Sequence, residues 1–184
     1  MRAALVALLS VLLAAPTSAE PAHVERIELA QYGLYRGDRA GEIADAGTTT
    51  GTTTMLSNVA FYEATSRVPA CRGVGFGVVY RPLGKPDGAG AALRVVWRLP
   101  EPGLRNPDNG ITYRQSVSIL VAPLGQARLR GYSFDHDWEL VPGEWILEIW
   151  DGDRRLLAQT FSVYQASCPG LTSQLRWQPA AAAG

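Results

Sequence analysis

Ser133-Phe134-Asp135-His136-Asp137 brings together within one short stretch every side-chain type of a Ser/His/Asp hydrolase. In such an enzyme the imidazole takes the hydroxyl proton while a carboxylate orients the ring. On an extended chain, however, Ser133, Asp135 and Asp137 project to one side and His136 to the other. A working triad converges from residues distant in sequence, and the chain's second histidine, His23, lies near its N-terminus. The segment therefore reads as a turn in which Asp135 or Asp137 caps nearby amides, and no catalytic residue is assigned. The same residues, with Asp151 and Asp153, offer donors to a metal. Their spacing fits neither an EF-hand loop nor a zinc site. Met55 is the sole methionine after Met1, too little sulfur for a copper carrier. No metal and no cofactor is assigned.

A second candidate is cationic. Arg94 and Arg98 fall on the polar side of one alternating segment and Arg114 on the polar side of another. If those segments are neighbours, the three arginines and Trp150 form a ligand-binding patch suited to phosphate, sulfate or an acidic polysaccharide. The alternative is an ordinary solvated face that also blocks edge-to-edge aggregation. The whole chain carries 17 basic and 17 acidic side chains, so no global field draws nucleic acid or anionic lipid. No nucleotide-binding fingerprint occurs. Trp97 and Trp145 occupy core-facing positions, whereas Trp138 and Trp177 lie in irregular stretches where an exposed indole could anchor a sugar or protein.

The elements that must hold these residues are strands. In Trp138–Tyr164, Trp145, Leu147 and Ile149 alternate with Ile146, Glu148 and Trp150. Asp151-Gly152-Asp153 turns the chain, and Leu157, Phe161 and Val163 return, which is a strong hairpin signal. Leu93, Val95, Trp97 and Leu99 alternate with Arg94, Val96 and Arg98 as a half-buried strand. Phe76, Val78 and Tyr80 mark another. From Tyr113 to Val121, Val117, Ile119 and Val121 share one face, with Arg114, Ser116 and Ser118 on the other. A first strand is expected over Val24–Tyr35, with Ile27 and Leu29 inward, and shorter ones over Val59–Ala64 and Arg128–Phe134. Arg36–Thr54, including the run TTTGTTT, has almost no apolar face and reads as an exposed loop or ragged edge. Thr65–Arg72 reads as a connector. Seven or eight strands without a helical period predict an all-β, antiparallel immunoglobulin-like sandwich.

The N-terminus sets the expected compartment. Arg2, an apolar run from Ala3 to Ala15 and the small residues Thr17-Ser18-Ala19 have the form of a cleaved signal peptide over residues 1–19. Its apolar run is short of the roughly 20 residues that span a bilayer, and no later stretch suits a membrane span. Residues 20–168 form the sandwich domain and 169–184 a flexible tail. The mature chain is expected in the periplasm or secreted. Arg is used almost to the exclusion of Lys (Lys85 alone), alongside abundant Ala and Gly, as in a GC-rich bacterial gene. In an exported chain Cys71 and Cys168 most simply form a disulfide, closing a long loop. Two free thiols or a redox pair are the alternatives, and no CxxC spacing favours the latter.

The elements AQYGLY (Ala30–Tyr35), ATSRVPACRGVGFGVVY (Ala64–Tyr80), GYSFDHDWELVPGEWILEIWDGDRRL (Gly131–Leu156) and TFSV (Thr160–Val163) resemble a family of short bacterial domains of unknown function. The resemblance implies an immunoglobulin-like fold and brings no activity. The function expected is a non-catalytic binding or accessory module of the bacterial cell envelope, with an envelope protein or glycan as partner. The alternative is a periplasmic inhibitor or chaperone-like protein acting on another protein. A small hydrolase stands third.

Overall fold

The computed structural model describes residues 21–168; the expected signal peptide and the tail lie outside the described residues. The first part of the chain forms β1 (His23–Ala44), β2 (Thr52–Glu63), β3 (Arg67–Pro69), β4 (Gly75–Lys85), β5 (Gly90–Arg98), β6 (Leu104–Arg105) and β7 (Thr112–Tyr113). β8 (Gln115–Pro123), β9 (Arg128–Ser133), β10 (Gly143–Asp151) and β11 (Arg154–Tyr164) follow, with a 3₁₀ turn at Asp137–Glu139 before β10. Two sheets result, in the orders β2-β1-β4-β9 and β3-β11-β10-β5-β8, with β6 and β7 paired by themselves. The all-β expectation holds.

The final hairpin forms as its alternation requires. Trp145 pairs with Phe161 and Ile149 with Leu157, while Gly152 takes the left-handed conformation that the tight turn needs. A bulge between Ile149 and Trp150 absorbs one extra residue of β11. Trp145, Leu147, Ile149 and Phe161 are fully buried against Phe76 and Val78 of the facing sheet. Phe76 is the hub: its ring lies 5.2 Å from Phe161, 5.3 Å from Phe134, 5.4 Å from Trp97 and 5.8 Å from Trp145, centroid to centroid. Edge-on and tilted contacts of this kind add to the burial of the rings themselves.

The Cys71–Cys168 disulfide is present, with 6.0 Å between Cα atoms. It fastens the chain beyond β11 to the segment following β3. There β3 runs parallel to β11, Val68 opposite Val163, so the expected connector Thr65–Arg72 contributes a short strand after all. Pro69 is tolerated because β3 is an edge strand.

Two expectations are corrected in the first half of the chain. β1 does not stop at Tyr35 but runs on to Ala44, and β2, the sheet edge, begins at Thr52, so of Arg36–Thr54, read as an exposed loop or ragged edge, only the stretch between Ala44 and Thr52 is loop and the rest is a hairpin arm. Its residues have no apolar face because beyond Tyr35 they pair with each other and cover little core. Val24, Leu34 and Tyr35, not Leu29, supply the buried side of β1. In β8 the inward face is also reversed. Ser116, Ser118 and Ala122 are buried, whereas Ile119 and Val121 are 77% and 64% exposed. Serine goes inward here because Ser118 Oγ donates to Asp45 Oδ2 (2.6 Å) at the tip of the arm.

Candidate functional site

The arm builds the site. Its tip crosses to the edge strand of the opposite sheet, where Val117 N donates to Gly47 O at 2.8 Å. Gly47 is required there, since a Cβ would collide with the Val117 carbonyl. Asn106 Nδ2 donates to Thr49 O (2.9 Å), and Thr49 and Tyr132 hydroxyls meet at 3.0 Å. Further back, the Tyr35 ring lies over Gly75 and Gly131, positions where a Cβ would strike it. Roofed in this way, the space beside β9 and β8 is a cleft of about 320 Å³.

Hydroxyls dominate its lining: threonines from Thr48 to Thr54, Ser116, Ser118 and Ser133, and the phenols of Tyr35 and Tyr132. Burial pushes the Tyr35 phenol up to about 12 and raises Tyr132 well above its usual value, so both stay protonated at neutral pH. Three arginines, Arg36, Arg39 and Arg130, and two acids, Asp135 and Glu139, complete the charged lining.

The acids are already engaged. Asp135 meets Arg39 Nη2 at 2.7 Å. Glu139 is buried, accepts from Tyr132 Oη and from the amides of Asp135 and His136, each at 2.7 Å, and thereby ties the 3₁₀ turn to β9. This reach back to the amides at the start of the turn is the capping that had been expected of Asp135 or Asp137. Asp45, at the arm tip, accepts from the hydroxyls of Thr53 and Ser118. Arg130 differs. By alternation it shares the inward face of β9 with Tyr132, and it meets no hydrogen-bond or ion-pair partner among the described residues. Burial lowers its pKa, with Tyr80, Asp45 and Tyr35 opposing the shift.

The Ser/His/Asp stretch does not assemble. Ser133 Oγ lies 3.3 Å from Tyr35 Oη, Asp135 faces Arg39, and His136 stacks on Trp138 with ring centroids 5.6 Å apart. Among the described residues no three His, Cys, Asp or Glu side chains gather as metal ligands.

The cationic patch lies on the outer face of the five-stranded sheet, away from the cleft. Arg94 packs over the Trp150 ring at 5.0 Å and Arg155 over the same ring at 5.8 Å. Arg98 Nε and Arg155 Nη1 reach Glu148 at 3.2 and 2.9 Å, and Trp150 Nε1 donates to the same carboxylate at 3.1 Å. Arg114 does not join them; it turns to Glu101, 3.5 Å away, with both side chains largely in water. Arg155 and Glu148 were not among the residues singled out in the sequence, although cross-strand pairing of Trp150 with Arg94 and Arg155 follows from the hairpin register. Glu148 is covered by these three side chains rather than by depth, and it spends the charge of the patch internally.

Two carboxyls then respond to pH in opposite senses. Burial works against ionisation of Glu148, but hydrogen bonds from Arg155, Trp150 and Arg98 outweigh it and hold the group below its ordinary value of 4.5. Its contribution is present above 4.5 and is lost as pH falls through the lower folded value. Burial raises Glu139 above 4.5 despite its hydrogen bonds. Its contribution is full below 4.5 and declines as pH rises through the higher folded value. Urea melts across pH should therefore show Glu148→Gln flattening the acid limb and Glu139→Gln flattening the change just above 4.5. Unchanged limbs in both variants would contradict these environments.

Comparison with known proteins agrees with the fold. Residues 23–163 match the model of a domain of unknown function (DUF3859), and the chain belongs to that family. It is similar to an immunoglobulin-like protein from Pseudomonas aeruginosa of known crystal structure, at 25% identity and a TM-score of 0.51, over 75% of this chain and 96% of that one. No curated protein matches the chain.

Proposed function

We propose that this member of the DUF3859 family is an exported, non-catalytic binding module of the bacterial cell envelope, which recognises its ligand in the cleft beneath the β1–β2 arm. The observation that carries the reading is the cleft itself. Its volume lies at the lower end of the roughly 300–1,000 Å³ of small-molecule sites, and its lining is hydroxyl-rich, as suits a glycan fragment. Export is supported by the signal-like residues 1–19 and by the disulfide, which persists in an oxidising compartment. A binding role rather than hydrolysis is favoured by the separation of Ser133, Asp135 and His136 into three unrelated contacts.

One observation favours the second reading, an inhibitor or chaperone-like protein. β8 is a sheet edge with Ile119 and Val121 in solvent, a surface on which a partner strand could add. A pulldown from envelope extract separates the two. The cleft reading expects retained glycan that is lost with Gly47→Val, because that side chain forces the arm off Val117. One stable protein partner, insensitive to Gly47→Val but lost with Ile119→Glu, would overturn it in favour of the second.

A further inference from the structure

The acids and bases of the cleft do not cancel. Arg39 is neutralised by Asp135. Arg36 packs over the Tyr62 ring, 4.5 Å from its centroid. Asp45, the carboxylate at the arm tip, bears on Arg130 only from beyond ion-pair distance and already accepts two hydroxyl protons. Arg130 is thus a half-buried guanidinium that lines a cavity and offers its donors to no side chain or carbonyl among the described residues. A buried charge is costly when unpaired and is ordinarily matched by an opposite one.

We propose that the cleft takes a hydroxyl-bearing ligand with a carboxylate or phosphate group, and that Arg130 binds the anion. This rests on the cleft being the recognition site. Guanidinium presents a planar fork that meets either oxyanion in two parallel hydrogen bonds. The threonine and serine hydroxyls around it both donate and accept, matching the hydroxyls of a sugar ring. The hydroxyls of Thr52, Thr54 and Ser116 line the cavity and make no side-chain hydrogen bond to the rest of the described chain, so they are free to do so. The ligand class is therefore an acidic or phosphorylated saccharide. Arg94 and Arg98 make a poorer anion site, because Glu148 and the Trp150 ring already take their charge.

Calorimetric titration of the oxidised full chain with galacturonic acid, glucose 6-phosphate, galactose and glucose tests this. The acid or the phosphate should bind at least about tenfold more tightly than its neutral counterpart, in line with one charge-assisted pair. Which of the two wins identifies the anion. Arg130→Gln should abolish that advantage, and Arg130→Lys should restore part of it; amide spectra of both variants verify the fold. Equal binding of charged and neutral sugars, unaltered by Arg130→Gln, would overturn the anion inference and leave the cleft reading intact. Binding of the acidic sugar that survives Arg130→Gln but falls with Arg94→Gln or Arg98→Gln would overturn both.

Discussion

Phe76→Ala should destabilise the domain by about 3–5 kcal/mol, the cost of removing a fully buried ring whose neighbours cannot close the space. The ring has no exposure and touches rings from both sheets: Tyr132 and Phe134 on its own side, Trp97, Trp145 and Phe161 across the core. Domains of this size are stable by only about 5–15 kcal/mol, so the loss takes a large share of the total. Phe76→Leu, which refills much of the volume, should cost clearly less. Urea denaturation with a constant slope reads both values. A loss below about 1 kcal/mol for the alanine variant would mean that the hub is not packed as described.

The second large effect is the disulfide. Cys71 and Cys168 stand 97 residues apart, and the chain-entropy model assigns a loop of that length about 4.7 kcal/mol. Strain and residual structure in the unfolded chain reduce the figure, so the paired substitution Cys71→Ser with Cys168→Ser should cost about 2–5 kcal/mol. Because the bridge restrains the unfolded ensemble, the denaturant slope should rise when it is removed. The effect should reach β3 first, since β3 pairs with a single strand, β11, and the bridge follows it directly. An unchanged midpoint after reduction would contradict this.

What the sequence makes legible follows from which residues bury an apolar face. β10 and β11 announce themselves through Trp145, Leu147, Ile149 and an Asp-Gly turn, and β5 through Leu93, Val95 and Trp97. The arm is silent because strands that pair with each other away from the core need no apolar alternation; within TTTGTTT, Thr48–Gly51 is the bend at the tip and Thr52–Thr54 opens the edge strand β2. β8 misleads for a different reason. Its serines are buried by polar partners on the arm, and nothing local indicates that Asp45 will come to meet Ser118.

The site was still less legible. Ser133–Asp137 drew the eye by residue type, yet the group that organises that turn is Glu139, three residues beyond His136, where an acid can reach back to the amides. Arg130 had one local signal. It alternates in step with Tyr132 and Phe134, which places its side chain on the side of the aromatic core. That its charge goes unmatched depends on the distant arm and cannot be read from β9 alone.

Amide hydrogen exchange with and without envelope glycan fragments tests most directly whether the protein acts through the cleft. The expected result is added protection at the arm tip, Asp45–Thr54, and along β9, with little change at Ile119–Val121 or on the Trp150 face. Protection concentrated on the β8 edge or around Trp150, with the arm unaffected, would contradict the cleft as the recognition site.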